Sequence, residues 1–455
     1  MQLPAGFAEK YATLMDKAEQ TAFLASFNQP IHQGFRINPL KANPKPTGVT
    51  LTDPTGIPTG YYGHVSGHTP AHTTGTVYNQ EPSATYVGAV VDANPGERIL
   101  DLCAAPGGKS TQIAAGLNQQ GLLITNEIFA KRAAVLAENM ERFGVSNTIV
   151  LNETPAHIAA QLPRFFDKVV VDAPCSGEGM FRKDPDAIQY WTPDYPVECA
   201  TRQREILTEA VKMVQPGGQL IYSTCTFAPE EDEQMMSWLI HTFPEFELLP
   251  LPDLPGLEAA RPAWANNDEE VSKAGRLFPH HMNGEGHFIA KLMRKATDAS
   301  VKTKLKPAQL PRPERSATQL WRDFESQHFT QPITREAGLT VFGTQLYAVP
   351  ALTPDLGKLK ILRPGLHLGT LKKNRFEPAF ALALAIHPDQ YQPTVSLNES
   401  QWAAFVHGDT VTLTTPQENG WTLATIDGNG IGFGKVVGQT LKNGYPKGLR
   451  FLVRV

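Results

Sequence analysis

The chain has 455 residues, which at about 150 residues per domain points to roughly three domains and excludes a single small module. Hydrophobic residues make up 41% and charged residues 19%, with 37 Gly and 37 Pro spread along the chain, a composition that excludes disorder as the main state. The net charge of −4 argues against a general polyanion coat, and the four cysteines, Cys103, Cys175, Cys199 and Cys225, have neither a disulfide framework nor zinc-ligand spacing, so no structural metal is expected.

The amino terminus is amphipathic and lacks the unbroken apolar core of a signal peptide. The longest apolar run elsewhere, residues 380–386, is too short to span a bilayer, so a soluble, cytoplasmic, monomeric chain is expected. Periodicity predicts one helix over 8–27 and a strand around 34–38, and residues 1–75 read as a small α+β domain. From 98 to 292, within a domain of residues 76–295, short β-rich runs alternate with helical patterns, the mark of a doubly wound α/β sheet. Strands are predicted at 98–102, 122–126, 148–151, 168–172, 219–223 and 287–292, and helices at 109–117, 129–143, 198–214 and 229–241. The first five strands form β-then-α units and should run parallel; the sixth follows a loop-rich stretch and is expected as an antiparallel addition. Residues 296–318, polar and proline-containing, read as a linker. Beyond it lie an α+β module, 319–390, and a β-rich, glycine-punctuated module, 391–455. Residues 297–455 carry 18 Lys and Arg against 12 Asp and Glu, hence +6, leaving −10 on residues 1–296, the asymmetry of an appended polyanion-binding region.

The run DLCAAPGGKSTQIAAGL, residues 101–117, sets a Gly-rich turn between a strand and a helix, where ligands of doubly wound sheets sit. Gly108, Lys109 and Ser110 fit the end of a P-loop, but Cys103 stands where its leading glycine belongs, and no G-x-G-x-x-G is present. What remains is a loop that admits a ligand closely at Gly107 and Gly108, with Glu127 at the end of the second strand to accept hydrogen bonds from ribose hydroxyls. S-adenosylmethionine, a nucleoside cofactor without phosphate, fits best; the alternative is a tight turn with a charge at a strand end.

The fourth and fifth strands run into VVDAPCSGEGMFRKDP and LIYSTCTFAPEEDE, each with a cysteine just past its end, Cys175 and Cys225. Neighbouring strands lie about 4.8 Å apart, so both thiols can face one crevice; inert core cysteines are the alternative. Methyl transfer to carbon 5 of a pyrimidine gives such thiols a use, since a thiolate adding to carbon 6 makes carbon 5 nucleophilic. Asp172, three residues before Cys175, can hydrogen-bond the amino edge of a cytosine or merely cap the following turn. Strand chemistry does not distinguish the two thiols. Asp172-Ala173-Pro174-Cys175 departs from the [Asn/Asp]-Pro-Pro-[Tyr/Phe] pattern of amino-nitrogen methylation.

These runs, with FRINPLK (35–41), YNQEPSA (78–84), Asn126-Glu127 and GEGHFIAKL (284–292), resemble the RsmF-like branch of the Sun-type (NSUN) RNA 5-methylcytosine methyltransferases over nearly the whole chain. The resemblance implies a Rossmann-like methyltransferase core, an α+β amino-terminal domain and a PUA-like carboxy-terminal RNA-binding region. It implies that Cys103, Ala104, Ala105, Pro106, Gly107, Gly108 and Lys109 contact S-adenosylmethionine, that Glu127 holds its ribose, and that Asp172 lies between cofactor and base. Cys225 is then the nucleophile and Cys175 assists product release. Where the family often has Asp, this chain has Thr154, so Asn152 or a main-chain group is the alternative for a third-strand contact. The expected substrate is small-subunit ribosomal RNA; the alternatives are transfer RNA, or a non-catalytic assembly factor, which would need neither thiol.

Four further expectations follow from the residues. The histidines of PHHMNGEGH, 279–287, lack a ligand pattern and carry no metal. Glu230–Glu233 reads as a solvated turn starting a helix. Arg182 and Lys183 meet RNA phosphate or form a surface ion pair. Lys435, Lys442, Lys447 and Arg450, interleaved with Phe433 and Tyr445, suit phosphate contacts and base stacking.

Overall fold

The computed structural model describes residues 1–184, 186–296, 306–334 and 338–453. Residues 297–305 of the expected linker, and 454–455 of the last module, lie outside the described residues. The run expected as one amino-terminal helix is two, α1 (Phe7–Ala12) and α2 (Lys17–Ser26). Asp16 starts the second: its carboxylate accepts the N–H groups of Ala18 (2.8 Å) and Glu19 (2.9 Å), a cap concealed by the apolar periodicity that runs through it. Phe7, Tyr11, Phe23 and Phe27 are buried against Phe181, Trp191 and Phe227 of the larger domain. Strand β1 (Gly34–Ile37) lies between β2 (Gly60–Tyr62) and β3 (Val77–Asn79), both antiparallel to it, with the short helix α3 (Pro70–Thr73) before the last. This sheet therefore takes its third strand from beyond residue 75.

After α4 (Ala84–Val91) the chain alternates β4 (Arg98–Asp101), α5 (Gly108–Leu117), β5 (Leu122–Asn126), α6 (Ala130–Phe143), β6 (Thr148–Leu151), α7 (Pro155–Gln161) and β7 (Phe166–Asp172). Then come α8 (Asp186–Tyr190), α9 (Tyr195–Met213), β8 (Val214–Thr224) and α10 (Glu233–Thr242). The five strands pair in parallel in the order β8-β7-β4-β5-β6, the doubly wound sheet expected. The chain crosses from β6 back to β7, so the crevice at the reversal lies beyond the carboxyl ends of β4 and β7. Leu100, Ile124, Val169, Val171 and Leu220 are buried on one face, and Ile99, Leu123, Val150, Val170 and Ile221 on the other. Helices covering both faces explain why these strands read as continuous apolar runs.

Beyond them lie β9 (Phe246–Leu249), β10 (Glu258–Ala259), β11 (Gly275–Leu277) and β12 (His287–Arg294). Strand β12 pairs antiparallel with β8, as expected of the sixth strand. The carboxy-terminal third contains α11 (Arg315–His328), β13 (Leu339–Phe342), β14 (Gln345–Ala348), β15 (Ile361–Arg363), β16 (Leu366–Lys372), β17 (Arg375–Pro378) and α12 (Phe380–Ala385). The last module holds β18 (Thr394–Ser396), α13 (Glu399–His407), β19 (Val411–Thr412), β20 (Gly420–Ile426), β21 (Asn429–Val437) and β22 (Thr440–Asn443). The carboxy-terminal third thus has two sheets, β13-β14-β16-β17 and, in the last module, β18-β20-β21-β22-β19. Strand β15 belongs to neither: it pairs antiparallel with β6 and covers the edge that the parallel sheet would otherwise expose. Leu356 and Leu359 join the large domain's apolar cluster. Lys41 Nζ donates to Leu384 O at 2.6 Å, and Asn43 N to Asn429 Oδ1 at 3.0 Å, tying the amino-terminal unit to α12 and β21 of the carboxy-terminal third. Among the described residues, no helix is long and apolar enough to cross a membrane.

Candidate active site

The turn after β4 needs a left-handed residue, and Gly107 supplies it with φ of 117°. Ala104 N donates to Asn126 O (2.8 Å), Arg132 Nη2 to Ala105 O (3.0 Å) and Asn139 Nδ2 to Pro106 O (2.8 Å). From the amino-terminal sheet Arg36 Nη2 reaches Gly108 O (2.7 Å) and Thr111 Oγ1 (2.8 Å). So held, the loop borders a cleft of about 1230 Å³ whose lining includes Cys103, Ala105, Glu127, Asp172, Cys175 and Cys225. Ala104, Pro106, Gly107 and Gly108 form the loop behind that lining, and Lys109 reaches across to Asp172.

Glu127 is buried, with Phe129 N donating to Oε1 at 2.9 Å and Arg132 Nη1 3.3 Å from Oε2. A carboxylate has about four acceptor positions, so capacity for hydroxyl donors remains. Asn152 does not serve the cleft: its Nδ2 donates to Glu127 O (2.8 Å) and Ile128 O (2.9 Å), and its Oδ1 accepts from Lys360 Nζ (2.7 Å). Thr154 caps α7 and lines the cleft. Burial, with Asp101, Asp172 and Glu127 nearby, pushes the Cys103 thiol up, which makes it a poor nucleophile. Burial also raises Asp101 to about 7, against the 2.6 Å bond that Ser110 Oγ donates to it.

The two sulfur atoms of Cys175 and Cys225 are 3.3 Å apart, because β7 and β8 are adjacent and parallel. The hydrogen bond with Cys225 and burial raise the Cys175 thiol, so it stays protonated near neutral pH. Asp172 Oδ2 accepts from Lys109 Nζ (2.7 Å) and Oδ1 from Ser223 Oγ (2.8 Å). Burial alone would lower Lys109, but the charge and hydrogen bond of Asp172 outweigh it, and the ammonium ion is retained. Two touching thiols, a carboxylate paired with a cation, and a Gly-rich loop thus share one cleft.

The turn at Glu230–Glu233, expected to be solvated, is the largest departure: Glu231, Asp232 and Glu233 are fully buried. Glu231 accepts from Ser176 and from Gln203 Nε2 (2.7 Å). Asp232 accepts from Thr224 Oγ1 (2.6 Å) and lies 3.1 Å from Arg276, which is also bidentate to Glu233. Burial pushes Glu231 up to about 8. Buried carboxylates persist only with such partners, and here the partners stand up to 55 residues away in the chain.

Arg182 forms an ion pair, but a buried one rather than one at the surface: its Nε donates to Glu285 Oε2 (2.7 Å) and its Nη2 to Gly284 O (2.6 Å). Lys183 is exposed. His280 packs against Phe23 and Phe278, His281 pairs with Glu258, and His287 Nδ1 lies 2.7 Å from Ser83 Oγ. Among the described residues, no group of three or more His, Cys, Asp or Glu is placed to hold a metal ion. Phe433 and Tyr445 are core residues, packed against Tyr391 and Phe380, and cannot stack on bases; Lys435, Lys442, Lys447 and Arg450 are exposed.

Four family descriptions match in succession: the N-terminal domain of 16S rRNA methyltransferase RsmF (residues 3–82), 16S rRNA methyltransferase RsmB/F (89–293), the RsmF rRNA methyltransferase first C-terminal domain (323–386) and the methyltransferase RsmF PUA domain (392–451). Ribosomal RNA small subunit methyltransferase F of Citrobacter koseri is 32% identical over 485 residues, covering 97% of this chain and 96% of that protein. The crystal structure of a methyltransferase homologue from Pyrococcus horikoshii is similar at a TM-score of 0.54 and 30% identity, over 61% of this chain and 90% of that one. NSun6 of the same organism, solved with SFG, has the same fold at a TM-score of 0.54 and 21% identity, over 65% of this chain and 99% of that one.

Proposed function

The chain belongs to the RsmF branch of the RsmB/F family of 16S ribosomal RNA methyltransferases, and from that premise we propose that it methylates carbon 5 of a cytosine in 16S rRNA through a cysteine adduct. The observation that carries this reading is the 3.3 Å separation of Cys175 and Cys225 in the cleft that Asp172 and the glycine loop also line.

The cleft fits S-adenosylmethionine: Glu127 keeps acceptors for ribose hydroxyls, and the loop at residues 103–109 carries no phosphate cradle. When bound, the cofactor supplies an electrophilic methyl group. Cys225 Sγ adds to carbon 6 of the base, and the electron pair of the 5,6 double bond becomes available at carbon 5. Asp172, anchored by Lys109 and Ser223, accepts from the amino edge of the cytosine and favours protonation at its ring nitrogen. After methylation a water molecule entering the open cleft takes the carbon 5 proton, the carbon–hydrogen electron pair re-forms the 5,6 double bond, and the carbon–sulfur bond breaks with its electrons returning to Cys225. The protonated Cys175 thiol donates a hydrogen bond to the departing thiolate. The target base must leave its stack to reach these atoms.

On this reading the chain works as a cytoplasmic monomer, with RNA held outside the cleft by the exposed cations of β21 and β22. The test is incubation with labelled S-adenosylmethionine and 16S rRNA, followed by nucleoside mass spectrometry for 5-methylcytidine. Cys225→Ala should yield neither product nor adduct, and Cys175→Ala a denaturant-resistant protein–RNA adduct. An adduct from Cys225→Ala would reverse the thiol roles. Bisulfite sequencing of ribosomal and transfer RNA from cells with and without the gene distinguishes the two substrates.

A further inference from the structure

Cys175 sits in residues 173–177, which belong to no helix or strand, so no β-ladder holds its thiol beside Cys225. A backbone hydrogen bond from Cys225 reaches its thiol, and Ala173 N donates to Ser223 O (2.8 Å); the other bonds around it converge on one carboxyl group. Glu231 accepts the Ser176 N–H at 3.0 Å, the Ser176 hydroxyl, and the side-chain amide of Gln203 at 2.7 Å. That same amide reaches Pro174 O at 3.1 Å, so both neighbours of Cys175 are tied to Glu231. Ser176 Oγ also lies 2.8 Å from Thr226 Oγ1, which joins the residue after one thiol to the residue after the other. Behind them Tyr222 OH is 2.7 Å from Glu231 O and 3.0 Å from Gln203 Oε1. Ser176, Gln203, Tyr222, Thr226 and Glu231 are all buried. Three partners meeting at one side chain engage both of its oxygens, which a carboxyl group has in either protonation state and an amide, with one oxygen and an amino group, does not.

Resting on the reading of Cys225 as attacking thiol and Cys175 as the thiol that assists release, we propose that Glu231 is the positioning residue that sets the spacing of the two thiols and so governs release of the methylated product. Glu231 does not line the cleft; it acts through Ser176 and Gln203. Glu231→Gln keeps the length of the side chain but turns an amino group toward those donors. Cys225 follows β8, whose ladders to β7 and β12 the substitution leaves alone. Attack should therefore survive while release suffers.

Two measurements decide it. The first reads position directly: with the thiol oxidant diamide, which takes two hydrogens as the disulfide forms, the Cys175–Cys225 link identified by peptide mass spectrometry should form roughly tenfold or more slowly in Glu231→Gln, since ångström-scale displacement is costly for a bond-forming pair. An unchanged rate overturns the proposal, whichever thiol attacks the base. The second is a denaturing gel with S-adenosylmethionine and a 16S rRNA transcript. Glu231→Gln should accumulate the adduct as Cys175→Ala does, and the double variant should accumulate no more than Cys175→Ala alone, because both act on one step. Wild-type turnover by Glu231→Gln, or parallel loss of adduct and turnover at an unchanged melting temperature, overturns the proposal. Failure of Cys175→Ala itself to trap an adduct refutes the thiol roles instead, and the diamide rate then still decides the positional claim. Should Glu231→Gln not fold, Glu231→Asp, which keeps the carboxyl group one methylene further back, replaces it in both measurements with a smaller effect in the same direction.

Discussion

Glu127 offers a quantitative test of the cofactor site. Its carboxylate is buried, and one oxygen accepts the N–H of Phe129 at 2.9 Å while the other lies 3.3 Å from Arg132. Glu127→Gln has the same length and can keep the bond to Phe129, so the loop leading into α6 stays tethered. What it loses is the second oxygen, replaced by an amino group that cannot accept from a ribose hydroxyl. One hydrogen bond to a charged acceptor is worth about 1.5–3 kcal/mol, which corresponds to roughly 10- to 150-fold in Kd for S-adenosylmethionine. Glu127→Ala removes both acceptors and the tether, and should bind at least as weakly. Titration calorimetry in the absence of RNA reads the affinity, and a melting curve for each variant shows that the fold persists. Equal affinity for the wild type and both variants refutes the ribose role; a normal Gln variant beside a weakened Ala variant would show that the Phe129 tether matters and the ribose bond does not.

Arg276→Met leaves Asp232 and Glu233 buried without their cation and should cost about 3–5 kcal/mol, seen as a fall in the urea midpoint; a shift below about 1 kcal/mol would count against the buried triad. Asp101, raised to about 7 by burial, titrates above its unfolded value, so its contribution is fully present below about 4 and is lost as pH rises through about 7. Asp101→Asn should accordingly narrow the difference in unfolding free energy between pH 5 and pH 8, and an equal pH dependence in both proteins contradicts the shift. Lys435 and Lys442 are exposed and directly opposed across β21 and β22; replacing both by Ala should reduce the slope of log affinity for RNA against log salt by about 0.7–0.9 per lost phosphate contact, and an unchanged slope would remove β21 and β22 from the RNA surface. A chain ending at Lys295 uncovers β6 and discards Leu356 and Leu359, so it should melt below the full-length protein or aggregate; an unaltered melting temperature would show that β15 covers the edge without stabilising it.

Legibility in the sequence tracked the range of the interaction. Strands β4 to β8 and β12 were readable because their apolar runs are local and the turns between them carry their own residues, as Gly107 does. The direction of β12 was readable for a related reason, since residues 249–282 contain no helical crossover that would return the strand in parallel. The break between α1 and α2 has a local signal, Asp16 capping the second helix, but apolar residues continue on both sides of it and periodicity alone runs straight through. Strand β15 carried no signal of this kind. Three residues, Ile361–Arg363, gain meaning only because β6 would otherwise end the sheet, and no pattern within residues 319–390 announces an edge some two hundred residues earlier.

The site divides in the same way. Cys175, Cys225, Asp172 and Glu127 stand at strand ends, and a strand end in a doubly wound sheet points to the crevice whatever the rest of the chain does. Their supports do not follow from position. Ser223 two residues before Cys225, Lys109 from the glycine loop and Glu231 from the next turn become partners only when three strands are laid side by side. Acidic residues at the start of a helix suit the helix dipole, and that local explanation was sufficient enough to hide a second one: Glu231, Asp232 and Glu233 are inside, where charge is tolerated only because Ser176, Gln203, Thr224 and Arg276 converge on it. The same reasoning reverses the reading of Phe433 and Tyr445. Phe433 and Lys435 stand two residues apart on β21 with no register shift between them, so they share one face; that face is covered by Tyr391 at Phe433 and open at Lys435, and alternation along the strand does not tell where the cover ends. Chemistry that a strand end presents can be read from a sequence, whereas the groups that hold it in place are chosen by the fold from distant segments.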